Sequence, residues 1–172
     1  MKDFSCRGNA ALENLQLGSL LLRTGKAAES IKYFQRAADV YEKMLAVDDQ
    51  QKQAKADLAC TFGGLGYAEA ETDKVSKGLT DEQKALASYD NLGVAKTSNV
   101  FLLRDYAEAL ARTGETCLLN PTAESATEAK TFLQRSLSIW TLMRDRHILC
   151  AADAGKPDEV AATIAQCEVA LK

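Results

Sequence analysis

His147 is the single histidine of the chain, and Cys150 follows it three residues later. A thiol beside an imidazole is the material of a Cys-His nucleophile, because the imidazole can take the thiol proton near neutral pH. Here neither the spacing nor the flanking Ile148-Leu149 and Ala151 matches a nucleophile motif. Cys150 is therefore expected to be a buried thiol, and His147 a helix-terminal residue placed where a cation suits the helix dipole. A phosphorylatable histidine would want mid-helix exposure and basic residues downstream, whereas an apolar run follows His147. The stretch Phe62-Gly63-Gly64-Leu65-Gly66 has the glycines of a phosphate cradle, but no strand precedes it and no lysine-serine or lysine-threonine pair follows. Five cysteines (Cys6, Cys60, Cys117, Cys150, Cys167) are scattered without a C-x-x-C pair. With one histidine and no Glu-x-x-His, neither a zinc site nor a di-iron bundle has its ligands. Asp48-Asp49 and Asp81-Glu82 read as charges at helix N-termini. The expectation is a chain with no catalytic residues, no metal and no cofactor, and so not an enzyme.

The elements that would position these residues are helical. Residues 1–172 fit a single domain able to bury its own core. No stretch alternates as a strand does, and the two prolines, Pro121 and Pro157, fall between apolar-periodic segments. The fold expected is all-α. Seven helices are drawn, over about 9–23, 27–46, 48–72, 80–92, 97–119, 125–146 and 158–171, with 73–80 as a loop around Gly78. Thr80 with Gln83, and Ser125 with Glu128, are read as capping boxes for the fourth and sixth helices. The net charge of −3 argues against nucleic acid or an anionic membrane as partner. The longest apolar stretch, near Leu20–Leu22, is too short to span a bilayer. The N-terminus lacks the apolar core of a signal peptide, and the unpaired cysteines suit a reducing compartment, so the expected location is cytoplasmic.

A repeat runs through these helices. Gly18, Gly66 and Gly114 stand 48 residues apart, as do Asn9, Asp57 and Asp105, and Ala11, Ala59 and Ala107. Glycine inside a helix costs ~1 kcal/mol against alanine, so a repeated one marks a place where two helices touch closely. The first two helices carry Leu17-Gly18, Leu21, Gly25, Ser30, Phe34 and Ala37. The second pair carries Leu65-Gly66 and then Ala85, Tyr89 and Leu92; the third carries Thr113-Gly114 and then Ala129, Leu133 and Ser136. Val40-Tyr41 and Met44 of the second helix match Ile139-Trp140 and Met143 of the sixth, which puts Tyr41 and Trp140 between helices. Glu69 falls where a large apolar residue is expected.

This pattern resembles the tetratricopeptide repeat, with a longer period than the ~34 residues of the standard unit. The chain end, Ser136 to Arg146 followed by Ala151 to Val160, is similar to the closing segment of the tetratricopeptide-like modules on certain bacterial serine/threonine protein kinases. The resemblance implies a right-handed α–α superhelix of about three hairpins (9–47, 48–95, 97–147) closed by a capping helix at 157–171. No kinase motif is present. The implied function is a non-catalytic protein-interaction scaffold that binds a peptide or helix of a protein partner in a concave groove, associated with a bacterial kinase. The alternative is a helical sensor of a small molecule, held in the groove or beside the 73–80 loop. The resemblance places the groove on the first helix of each hairpin, at Leu15, Ser19 and Leu22, at Tyr67 and Glu71, and at Glu108 and Glu115. Apolar at one end and acidic at the other, such a groove suits an amphipathic helix or a basic peptide.

Overall fold

The computed structural model describes residues 2–119 and 122–170, and the side chains of 8–119 and 122–168. Cys6, Pro121 and the expected end of the last helix at 171 lie outside the described residues or side chains. The chain is all-α, as expected. It forms α1 (Lys2–Arg23), α2 (Ala27–Val47), α3 (Lys52–Ala70), α4 (Val75–Asn91), α5 (Val100–Leu118), α6 (Ala123–Asp145) and α7 (Lys156–Ala170), with short 3-10 turns at Val94–Lys96 and Ala151–Asp153. No strand occurs among the described residues. Two compact units divide the chain, residues 1–92 with α1–α4 and residues 93–172 with α5–α7.

In the first unit α1 pairs with α2 and α3 with α4, while α2 also packs on α3 and α1 touches α3. The two hairpins turn by the same device. Thr24-Gly25-Lys26 and Thr72-Asp73-Lys74 stand 48 residues apart. In each, the central residue has positive φ, +75° at Gly25 and 62° at Asp73. In each, the lysine N–H reaches back to a carbonyl in the last helical turn, Lys26 to Leu21 at 2.9 Å and Lys74 to Glu69 at 3.0 Å. Both helices thus end in a Schellman motif, in which a left-handed residue lets the chain reverse while the last carbonyls stay bonded. Aspartate tolerates this conformation better than most side chains, so Asp73 does glycine's work.

This turn overturns the expectation of a loop at 73–80. Helix α4 begins at Val75, Thr80 lies inside it with its hydroxyl on the Ser76 carbonyl, and no capping box forms there. Gly78, read as a breaker, is a contact residue. A methyl built on Gly66 would lie 2.5 Å from the Gly78 carbonyl oxygen, and one on Gly78 would meet the Gly66 carbonyl in return. The register of the second hairpin moves with it. Gly78, Glu82 and Ala85 hold the places of Ser30, Phe34 and Ala37, two helical turns before the Ala85, Tyr89 and Leu92 expected from sequence.

With that register, one contact repeats in every hairpin. A methyl on Gly18 would lie 3.0 Å from the Phe34 ring, one on Gly66 2.7 Å from Glu82 Cγ, and one on Gly114 2.7 Å from Leu133 Cγ. The partner stands 16, 16 and 19 residues after its glycine. Phe34 is gripped twice, because a methyl on Gly64 of α3 would come within 2.5 Å of its Cζ. Around it Ala11, Leu15, Tyr41, Met44, Leu65 and Ala68 form the core of the unit.

The second unit starts from a capped helix, where Asn99 Oδ1 accepts from the N–H groups of Phe101 and Leu102. Helix α6 is opened by Thr122, whose hydroxyl accepts from Ser125 N–H at 3.0 Å while Ser125 Oγ accepts from Thr122 N–H at 2.8 Å. The capping box is therefore one turn earlier than the expected Ser125-Glu128, with serine in the place usually held by glutamate. Ser136 donates to the Ala107 carbonyl at 2.7 Å and Arg135 to the Tyr106 hydroxyl, stitching α6 to α5. Trp140 is fully buried, as expected. Helix α7 lies on α6 with Val160 and Cys167 buried, and Lys130 pairs with Glu168 at 2.7 Å.

Two alanine substitutions separate contact from helix propensity. Gly66→Ala gains the propensity of alanine but forces a methyl onto the α4 backbone, with an expected net loss of roughly 1–3 kcal/mol. Gly8→Ala meets only Met44 Cε at an ordinary 3.5 Å, and should stabilise by up to ~1 kcal/mol. Urea unfolding of both variants checks the sign; two shifts in the same direction would refute the contact reading.

Candidate functional site

The residues expected to line a groove fall on the first helix of each hairpin, but they do not share one environment. Ser19, Tyr67 and Glu115 each follow the repeated glycine directly, so they hold one place in three helices. Leu15 is only 6 % exposed and belongs to the core with Phe34 and Tyr41, which makes it a packing residue. Leu22 packs partly against the same core. Ser19 is half-buried and spends its hydroxyl on the Leu15 carbonyl at 2.9 Å. Tyr67 is half-buried and Glu71 exposed, one turn apart at the C-terminal end of α3. Because α1 and α3 are in contact, these side chains belong to adjacent helices of one unit.

In the second unit Glu108 pairs with Arg112 on α5, Oε2 to Nη2 at 3.4 Å. Glu115 reaches solvent, yet crowding by protein atoms raises its carboxyl above the ordinary range, against the pull of Arg112 and Lys156 and with the push of Glu159 and Glu108. Lys156 at the start of α7 is itself paired with Glu159 at 2.9 Å. The result is a mixed-charge cluster shared by α5 and α7, able to exchange ion pairs with a charged partner.

The second hairpin holds a set of buried acids: Glu69 stands at the apolar position marked from sequence, whereas Asp81 and Glu82, expected as charges at a helix N-terminus, are buried inside α4. Glu69 and Glu82 are each 1 % exposed and Asp81 is 5 % exposed. Lys77 reaches from solvent to Glu69 Oε1, and Lys84 to Asp81 Oδ1 at 2.6 Å. Glu69 Oε2 is buried without a hydrogen-bond partner among the described residues. By the 48-residue spacing Glu69 replaces Leu21 and Glu82 replaces Phe34. The spacing was the signal; Gly78 concealed it by suggesting a loop. Across α2 and α3, burial pushes the Tyr41 hydroxyl far above its usual range, with the nearby Asp57 adding to the effect. The Asp57 carboxyl is raised by its own burial, while Gln53 and Tyr41 oppose.

His147 ends α6 in a third Schellman turn, with φ 55° and Ile148 N–H on the Met143 carbonyl. Cys150 is exposed, which overturns the expectation of a buried thiol, and it donates to Asp153 Oδ2 at 3.0 Å. Asp153 is held in turn by Arg104 of α5, Nε to Oδ2 at 2.7 Å. Cys117 and Cys167 are buried and Cys60 is half-buried, all three outside any disulfide. No group of three or more metal-ligating side chains occurs among the described residues, and no described helix is long and apolar enough to cross a membrane. One open pocket of about 270 Å³ is lined by Leu45, Lys55, Leu58, Ser88, Asn91 and Leu92 of the first unit.

No family model matches the chain, no curated protein matches its sequence, and no solved structure matches its fold.

Two predictions follow from the ion pairs. Lys77→Met strands a buried carboxylate and is expected to cost roughly 3 kcal/mol, whereas Glu69→Leu removes the charge and should leave stability unchanged or up to a few kcal/mol higher. Equal losses in the two variants, measured by urea titration, would show that the pair is not buried in solution. At Asp153 desolvation pushes the carboxyl up, but the Cys150 thiol and the Arg104 guanidinium outweigh it and hold the carboxyl below its ordinary range. A depressed folded value means that the contribution is complete above the unfolded value of ~4 and is lost as pH falls through the folded one. Asp153→Asn should therefore be less stable than wild type at pH 7, with the gap closing toward pH 2. Parallel stability–pH curves would contradict this linkage.

Proposed function

We propose that the chain is a non-catalytic interaction scaffold of the tetratricopeptide kind, which binds a peptide or helix of a protein partner along the first helices of its hairpins. The observation that carries this reading is the repeated contact of glycine with position-matched Phe34, Glu82 and Leu133. It is reinforced by the identical turns at Gly25 and Asp73. Repeats that pack by one rule are what a right-handed stack of hairpins requires, and such stacks present extended surfaces for binding. The kinase-tail resemblance of residues 136–160 suggests a regulatory partner of a bacterial protein kinase. Within the first unit Tyr67 and Glu71 supply an aromatic anchor and an acidic side chain, and within the second Glu108 and Glu115 supply two acidic side chains, each set suited to a basic partner.

The 270 Å³ pocket favours a second reading, in which the first unit responds to a small ligand. Affinity capture from the native host's lysate separates the two. Wild type is compared with Tyr67→Ala/Glu115→Lys, both shown to melt at the same temperature. The expected result is a protein retained by wild type and lost by the variant. Retention of nothing specific, or identical retention by both, would refute the groove reading and direct attention to ligand screening by thermal shift.

A further inference from the structure

Among the described residues six large apolar side chains are exposed, and three of them lie on α1: Leu12 at 40 %, Leu17 at 39 % and Leu20 at 49 %. The repeat reveals what this face is. In α3 the same register holds Cys60, Leu65 and Ala68, with Gly64 in the place of Gln16. There the face is packed: Leu65 and Ala68 share the core with Phe34 and Tyr41, Cys60 flanks it, and Gly64 admits the Phe34 ring. Helix α1 thus presents to solvent the face that α3 uses to stack on the helix before it.

We propose that this face is a self-association surface, on which α1 of a second copy lies antiparallel about a two-fold axis at Gln16. Register equivalence with the α3 face that packs on α2 gives the surface its role, and Gln16 selects the occupant. A side chain stands where Gly64 is bare, so a helix of the α2 kind, with a projecting phenylalanine, has no place for its ring. A ridge of leucines such as α1 itself has no such need. The face is also self-complementary. Antiparallel pairing about Gln16 sets Leu12 against Leu20 of the second copy twice over and joins two carboxamides, each able to donate and accept. It also brings Glu13 within one helical turn of Arg23 of the second copy, an opposite-charge pair formed twice. A surface one helix wide falls short of the ~1,200 Å² at the lower end of stable interfaces, so the pairing is weak and concentration-dependent.

Sedimentation equilibrium of the full chain from about 10 μM to about 1 mM tests the proposal. Wild type and Val47→Lys, a control at an exposed position on α2, should both pass from monomer to dimer across that range. Leu12→Lys/Leu20→Lys should weaken association at least about tenfold while its helical melting curve is unchanged, because both leucines are already solvent-exposed. Glu13→Arg should weaken the dimer, and Glu13→Arg/Arg23→Glu should restore it. A wild type that stays monomeric throughout, or a dimer indifferent to the two lysines, overturns the surface. A dimer sensitive to the lysines but not to the charge exchange overturns the two-fold register.

Discussion

Close approach of paired helices at a residue without a side chain is the constraint on which this molecule depends. Gly18, Gly66 and Gly114 each sit where a partner side chain or carbonyl already fills the space of a methyl. Glycine in a helix interior is unfavourable by ~1 kcal/mol each, so helices this rich in it persist through packing and not through propensity. Helix α3 is the extreme case, with Gly63, Gly64 and Gly66 in one stretch. It is pressed from one side by Phe34 and from the other by Gly78 and Glu82, and its glycines are the places where that pressure is accepted.

The same geometry explains how two carboxylates come to be buried. Once Gly66 and Gly78 bring the α3 and α4 backbones together, the positions beside the crossing are shielded whatever side chains stand there. In the first hairpin the equivalents are Leu21 and Phe34, and in the second they are Glu69 and Glu82. A buried carboxylate needs compensation, and Lys77 answers Glu69 with an ammonium that is itself 57 % exposed. Such a pair is weak evidence for stability, because hydrophobic residues of similar volume would serve as well or better. At these positions the second hairpin is therefore not packed as an apolar core would be.

Much of this was legible in the sequence, and the failures have one source. The 48-residue glycine spacing, the helix break at Gly25 and the burial of Tyr41 and Trp140 follow from residue types alone. The start of α4 did not, because Gly78 followed by Thr80 and Gln83 imitates a loop and a helix cap, and only the tertiary contact with Gly66 tells a breaker from a crossing point. Misplacing that start hid the register of Glu82, since a glutamate at a phenylalanine position carries no hydrophobic signal. Leu15 shows the converse. Its register assigned it to a groove, while the neighbouring α2 and α3 draw it into the core.

Repetition of a contact also constrains what a surface is for. Where α3 packs on α2, its face carries small residues and one bare Cα that receives a ring. On α1 the corresponding face carries Leu12, Leu17 and Leu20, and Gln16 stands in the place of the bare Cα. The two helices share the inner glycine contact, with Gly18 and Gly66 facing their own hairpin partners, and differ on the outer face. A face that retains apolar side chains after losing the feature needed for ring insertion is suited to a flatter contact than the one inside the molecule. The inner register keeps the hairpins alike, and the outer substitutions distinguish one helix surface from the next.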